Sequence, residues 1–406
     1  MSLRIAIVVA VSMACSLVAT PLVRQLARRL GAVSRPDGTR KVHPQPTPLW
    51  GGIAVYLALM SGAVVGWAFD PPQWVGVLMP LGLAAGMLCL VGMWDDRWAL
   101  SAWRKLPGQI LATLPIVVSG MYVDRLVLFG YELNLGWFGA VWTVGWLVLG
   151  INAMNLLDGM DGLASLTAMV ICLAVAVLAG IRGLDHVLLL SLALVGGLAG
   201  FVVYNLPPAR IYLGDSGSMV LGLVVSLLAL QVACGTPASA DLTVMALLLF
   251  VPLLDTGLAI LRRVLKGQSV FAGDRGHLHH QLLDRGFSAW KVLALLGGFC
   301  FAAGAGACSA AALGQESLAW AAVGALTVLL AFGQYIGREE QKLLAQRFRR
   351  SAIPQEQPQP LESGPRPPRP TVPMFASSIP HGQPTGMAQQ DEYESSQAAQ
   401  EGHRAA

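Results

Sequence analysis

Residues 150–162 read GINAMNLLDGMDG, so Asn152, Asn155, Asp158 and Asp161 recur at every third position with no Lys or Arg between them. Apolar runs lie on both sides, 137–149 and 163–181. An ionised side chain at the centre of a bilayer costs about 2.5–3.5 kcal/mol. Such groups therefore do chemistry or sit at the water boundary. Positions three apart drift by about 60° per step on an ideal helix, so four polar residues cannot share one flat face. Gly159 and Gly162 predict instead that the helix ends here and that the oxygens converge from a turn. Capping of a helix end accounts for one Asn or Asp, but poorly for four.

Four other polar clusters interrupt the apolar sequence. In GMWDDR, Asp95 and Asp96 follow an apolar run directly. Negative charge is unfavourable at a helix C-terminus, which argues against a plain polar end. Adjacent carboxylates can divide their work, one toward a metal and one toward a proton or phosphate. In YNLPPARIYLGDSGS, Asp215 stands where a helix N-cap belongs, and Asn205 and Arg210 beside it favour a site. The stretch SRPDGTRKVHPQPTPLWGG offers Lys41 and His43 as cationic donors, and Gly51-Gly52 as helix-start amides suited to an anion. Positive-inside charge on a Pro-rich connector explains the basic residues there equally well. Last, PLLDT carries Asp255 and is followed by GDRGHLHHQLLDRG, with Arg275, His277, His279 and His280. The HxHH spacing could hold zinc given a further ligand, or the histidines and Arg275 could donate to phosphates.

If Asp95, Asp96, Asp158, Asp161 and Asp215 converge, each pair 4 Å apart repels by about 4 kcal/mol at an effective dielectric of 20. A hard cation is then required, and an all-oxygen ligand set points to Mg²⁺, with Mn²⁺ as a substitute. Lys41, Arg210 and the histidines would hold an anionic substrate. This is a layout for phosphoryl transfer at a membrane surface.

The elements that must position these groups are membrane helices. The chain is 55% apolar and 12% charged, with mean hydropathy +0.59, whereas soluble domains carry about 25% charged residues. The expected fold is an all-α polytopic membrane protein. Spans of about 20 apolar residues are predicted at 4–23, 51–69, 74–93, 107–123, 137–154, 163–181, 187–204, 217–234, 242–261, 292–313 and 317–336. The first is read as a retained helix rather than a cleaved leader. Residues 124–136 alternate in polarity and predict a small external hairpin. An outside N-terminus with eleven spans puts every Lys and Arg except Arg4, Arg125 and Arg182 on the inner side, as the positive-inside rule requires. The five polar clusters then share the cytoplasmic face. All six cysteines fall in apolar segments without a CxxC pair, which excludes a disulfide framework. The net charge of +4 gives no sign of nucleic-acid binding. Two domains are expected: a membrane domain over 1–337, and a basic, then Pro-rich cytoplasmic tail over 338–406 that cannot bury a core.

KVHPQPTPLWGG, GMWDDR, NAMNLLDGMDGL, YNLPPARIYLGDSGS and DRGHLHHQLL, in this order and on one face, resemble the polyprenyl-phosphate N-acetylhexosamine-1-phosphate transferases. The resemblance covers about residues 1–337. It implies that a polyprenyl phosphate attacks a UDP-N-acetylhexosamine, that UMP leaves, and that Mg²⁺ is required. It places the carboxylates that handle the lipid phosphate on Asp95 and Asp96, with Asp95 the better base. Asp215 matches the metal aspartate, Asn155 and Asp158 the nucleotide and metal region, and Asp161 a position near uridine. Lys41, His277, His279 and His280 match groups around the diphosphate. Combined with the residue pattern, this gives Asp95, Asp96, His279 and His280 as catalytic, and Asn155 and Asp215 as metal-binding. Lys41, His43, Asn152, Asp158, Asp161, Asn205, Arg210, Arg275 and His277 are then substrate-binding. DRGHLHHQLL resembles the branch that uses UDP-N-acetylglucosamine, with the muramoyl-pentapeptide transferases as the alternative. In one departure, Ala99 stands where many members carry a third carboxylate. The expected setting is the plasma (inner) membrane, early in lipopolysaccharide, teichoic-acid or related assembly; a homodimer is compatible with it. A transporter is the alternative of another class, but it calls for internal repeats and mid-membrane ionisable groups, and no repeat is evident.

Overall fold

Inside a bilayer every backbone polar group must be satisfied within the segment, and the apolar runs of this chain accordingly form helices. The computed structural model describes residues 1–34, 46–74, 76–234, 239–270, 274, 276–332, 340 and 342–343. Lys41, His43 and Arg275, and nearly all of the expected 338–406 tail, lie outside the described residues. Residues Met1–Ala352 form one compact unit.

The chain opens with α1 (Ser2–Arg29), followed by a two-residue strand pair, β1 (Val33–Ser34) and β2 (Thr47–Pro48). Next come α2 (Gly51–Phe69), the single turn α3 (Pro71–Trp74), α4 (Leu78–Trp98) and α5 (Ala102–Val118). The expected hairpin is present as β3 (Arg125–Leu128) and β4 (Tyr131–Asn134), paired antiparallel. Then follow α6 (Phe138–Leu157), α7 (Leu163–Arg182), α8 (Asp185–Asn205) and α9 (Asp215–Ala233). Strand β5 (Ser239–Asp241) adds to β3 in parallel. The chain continues through α10 (Leu242–Leu248), α11 (Phe250–Leu265), α12 (Leu278–Leu283), α13 (Ala289–Leu313) and α14 (Glu316–Phe332).

Among the described residues, eight helices are long and apolar enough to cross a membrane, or nine if α10 and α11 together make one span. The protein is a polytopic membrane protein. Among the described residues, helix occupies most of each expected segment, but α5 and α14 have only 17 residues each. The segment expected as one span at 242–261 is broken, with α10 and α11 meeting at 82°. Pro252 gives the physical reason. It has no N–H to offer the carbonyl four residues back, and its ring collides with that carbonyl.

Helix α9 is the axis of the fold. Its sequence, DSGSMVLGLVVSLLALQVA, is apolar on all sides, which marks a helix enclosed by others. All of its residues except Asp215 and Gln231 are buried. Helices α2, α4, α6 and α7 pack around it. Small residues permit this closeness. A Cβ on Gly92 of α4 would lie 2.3 Å from the backbone of Ser216, and one on Gly52 of α2 would lie 2.2 Å from Gly217 N. Two neighbouring helices are therefore pressed backbone to backbone against the first turn of α9.

Candidate active site

Helix α4 delivers the acid pair. It ends at Ala99, which adopts left-handed backbone at φ 49°, and the reversal turns Leu100 N back onto Asp95 Oδ1 at 2.6 Å. Asp95 is 4% exposed. Asp96 points the other way, to the start of α9. It accepts from Asp215 N at 2.8 Å and from Ser216 N at 3.3 Å. This satisfies two amides that a helix start leaves without intrahelical partners and sets negative charge against the positive end of the α9 dipole. Gly214 makes room for it: its φ is +71°, and a Cβ there would lie 2.6 Å from Asp96 Oδ2.

Asp215 is reached from two more helices. Asn155 on α6 donates through Nδ2 to Asp215 Oδ1 at 2.7 Å and to Ser218 Oγ at 2.9 Å. Lys105, in the first turn of α5, donates to Asp215 Oδ2 at 2.7 Å and also pairs with Asp95. Its ammonium thus bridges the two carboxylates that the sequence separates by 120 positions. Like charges so close need such a cation.

The turn between α6 and α7 supplies two more acids. Helix α6 stops at Leu157, and Gly162 at φ +76° starts α7, as the glycines predict. Burial raises the pKa of Asp158 well above the usual carboxylate range, and Asp215, Asp96 and Asp161 push it in the same direction. Asp161 accepts from Ala209 N at 2.8 Å. Asn205 holds the same 206–214 loop, donating to Ile211 O at 3.1 Å and accepting from Ser165 Oγ at 3.0 Å.

Helix α12 closes the other side. His279 is fully buried, and neither ring nitrogen has a hydrogen-bond partner among the described residues. Its ring lies against Gly159, where a Cβ would come within 2.2 Å of Nε2. Burial pushes its pKa down to about 3, with His280 and His277 adding to the effect against Asp255. His280 faces a cleft of about 1070 Å³, with Asp95, Asp96, Lys105 and Asp215 at its base and Asp158 and Asp161 on its wall. That volume is ample for a nucleotide-sized ligand.

Comparison with known proteins gives this arrangement a family. A model described as glycosyl transferase family 4 matches residues 78–233, from the start of α4 to the end of α9. A probable undecaprenyl-phosphate N-acetylglucosaminyl 1-phosphate transferase of Bacillus subtilis is 32% identical over 338 residues, covering 82% of this chain and 91% of that protein. The chain belongs to glycosyl transferase family 4. Other similar members are a decaprenyl-phosphate N-acetylglucosaminephosphotransferase of Mycobacterium tuberculosis (strain ATCC 25618 / H37Rv) and an undecaprenyl-phosphate alpha-N-acetylglucosaminyl 1-phosphate transferase of Escherichia coli (strain K12). The first is 37% identical over 317 residues, 68% of this chain and 75% of its own. The second is 29% identical over 281 residues, 67% of this chain and 75% of its own.

In this family member the fold brings Asp95, Asp96, Asn155, Asp158, Asp161, Asp215 and the histidine helix together from four separate stretches of sequence. Several expected residues stand elsewhere. Asn152 turns to α5, donating to Gln109 Oε1 at 2.8 Å, and does not line the cleft. Arg210 is exposed on the 206–214 loop and does not line it either. His277 is buried behind His279, facing Asp255 Oδ2 at 3.0 Å. The amides of Gly51 and Gly52, read from sequence as free for an anion, are instead taken by Tyr212 O and Leu213 O, both at 3.0 Å. They tie α2 to the 206–214 loop. The HxHH zinc reading also fails among the described residues: no three His, Cys, Asp or Glu side chains come together as a metal cage.

Lys105 escaped the sequence reading. As one of many inner-side basic residues it looks like topology charge, and only the meeting of α4, α5 and α9 reveals it. The available signal was its place in a first helical turn, close after an acidic pair.

Proposed function

We propose that this chain transfers N-acetylglucosamine 1-phosphate from UDP-N-acetylglucosamine to a polyprenyl phosphate and releases UMP. The step initiates cell-envelope polysaccharide assembly on the cytoplasmic side of the inner membrane. The observation that carries the reading is the Asp95–Lys105–Asp215 cluster at the head of α9, in a chain 32–37% identical to transferases that bear this activity in their names.

The residues divide the work. Both carboxylates line the cleft; Asp96 has its oxygens on the α9 amides, whereas Asp95 has one on Leu100 N and the other on Lys105, a cation that can turn to an incoming phosphate. Asp95 is thus the better base for the lipid phosphate. A lipid phosphate oxygen attacks the sugar-bearing phosphorus, the bridging P–O bond of the diphosphate breaks, and its electrons leave with UMP. Lys105 balances charge between Asp95 and Asp215 as phosphate enters. Asp158 and Asp161 border the nucleotide side, and His280 faces the diphosphate from the opposite wall.

Mg²⁺ suits the donor set. The cleft is lined by carboxylate oxygens, and an ammonium already occupies the point between two of them. Magnesium takes only one or two carboxylates and completes its shell with substrate phosphates and water, so a ready-made cage is not needed. Asp215 would hold it, with Asn155 in the same cluster orienting that carboxylate. When bound it offsets negative charge on the diphosphate.

The purified chain should turn over UDP-N-acetylglucosamine with polyprenyl phosphate, in a reaction stopped by EDTA and restored by Mg²⁺. Asp215→Ala should abolish turnover without loss of membrane insertion. Asp95→Asn should lower kcat more than it weakens UDP-sugar binding. Turnover confined to the muramoyl-pentapeptide nucleotide would overturn the sugar assignment. Nucleotide-sugar uptake without any transfer would favour a transporter.

A further inference from the structure

Helix α11 buries Arg263, at 6% exposure and donating to Val270 O, and two further ionisable residues, Asp255 and Arg262, at 1% and 0%. They are seven positions apart and therefore lie on the same face, two turns apart. Neither serves its own helix. Both oxygens of Asp255 reach the segment that leads into α12: Oδ2 faces His277 Nδ1 at 3.0 Å, and Oδ1 accepts from Leu278 N at 2.9 Å. Arg262 grips the same segment a few residues earlier. Its Nε donates to Asp274 Oδ2 at 2.7 Å, and a second guanidinium nitrogen stands 2.6 Å from the same oxygen. Gly276 passes directly over that group; a Cβ there would lie 2.4 Å from Arg262 Nε. Asp274 Oδ1 in turn accepts from Gly276 N at 3.0 Å.

We propose that Asp255 and Arg262 are positioning residues, a two-point clamp through which α11 fixes the histidine helix against the cleft. The proposal rests on the transferase reading above. The consequence runs along three rings. Asp255 orients His277, whose ring stacks on His279 at 6.0 Å and 8°. His279 contacts His280 at 4.2 Å, and His280 lines the cleft. Because His279 has no hydrogen bond of its own among the described residues, its placement depends on packing and on what holds α12. A six-residue helix is too short to be stable alone. The clamp supplies the rigidity that a working site needs from the residues behind it. The 82° break before α11 aims the helix so that the clamp face meets the loop.

Two measurements test this on the full-length chain in detergent or nanodiscs. The first needs no substrate. Amide hydrogen exchange across 276–283 should quicken at least tenfold in Asp255→Ala and in Arg262→Gln, while exchange in α9 stays as in wild type. The second is kinetic. Asp255→Asn should lower kcat at least tenfold with UDP-N-acetylglucosamine, yet less than twofold when introduced into His280→Ala, because it acts through the histidines. Arg262→Lys should recover part of the kcat that Arg262→Gln loses. Unchanged exchange at 276–283 in both variants would overturn the clamp. So would equal kinetic losses in the two backgrounds, or faster exchange throughout α9, which marks a merely structural role. A wild-type chain without transferase activity would instead remove the functional reading, while the exchange result still judges the clamp.

Discussion

At the residue scale, the site depends on a cation that the chain itself provides. Lys105 stands between Asp95 and Asp215, and losing it leaves two carboxylates facing each other around a negatively charged substrate. Removing one partner of a largely enclosed ion cluster leaves uncompensated charge behind. Lys105→Met is expected to cut turnover about 100-fold, equivalent to about 2.7 kcal/mol of barrier, with membrane insertion intact; a coupled UMP-release assay reads it. His279 makes a pH prediction. Burial holds its pKa at about 3 in the folded chain, against about 6.5 in an unfolded one. The unfolded chain therefore binds the proton first. The stability that His279 contributes is complete above about pH 6.5 and is lost as pH falls toward 3. Thermal melting between pH 7 and 5 should show a smaller drop for His279→Gln than for wild type; equal drops would mean that this imidazole does not govern the acid limb.

At the element scale, backbone contact sets the geometry. Gly92 lies against Ser216, beside the amides that Asp96 holds. A methyl group there has only backbone to displace, so α4 and α9 must separate. Gly92→Ala should destabilise by about 1–3 kcal/mol and lower turnover by more than tenfold. Gly145→Ala on α6, where a Cβ would meet nothing within 4 Å, should be neutral or stabilising by about 0.5–1 kcal/mol. Differential scanning fluorimetry and turnover of the pair decide this. The helices themselves were legible, because runs of apolar residues and the punctuation at Gly159 and Gly162 are local signals. The acids were legible too, since a carboxylate beside an apolar run is conspicuous. What stayed hidden depends on contacts between elements. Gly51 and Gly52 look like free helix-start amides until the Tyr212 and Leu213 carbonyls reach them. Asn152 looks like part of the acidic series until Gln109 claims it. The bend before α11 is marked locally only by Pro252, and an apolar run of span length has the same composition whether it is straight or broken.

At the scale of the whole molecule, the charge of the loops decides which way the bundle faces. The cleft opens among the ends of α4, α6 and α9 and beside α12, whereas the β3–β4 hairpin follows the opposite end of α5. The basic residues gather with the cleft: Arg97, Arg104, Lys105, Arg210 and Lys266 all belong to that set of loops, and the hairpin has only Arg125. Lys and Arg near helix ends stay on the cytoplasmic side, so the cleft should face the cytoplasm and the hairpin the opposite compartment. This orientation also suits the proposed chemistry, because a nucleotide-sugar donor is a cytoplasmic metabolite and a polyprenyl phosphate is a lipid of the bilayer. Two exposed positions separate the alternatives: Glu132 on β4 and Gln268 just after α11. The native cysteines lie in helices or at a helix end, where none is fully exposed, and give a low labelling background. In intact cells a membrane-impermeant maleimide should label Glu132→Cys and leave Gln268→Cys untouched, and in inverted vesicles the pattern should reverse. Labelling of Gln268→Cys in intact cells would place the cleft outside, away from its nucleotide donor, and the transferase reading would fall with the topology.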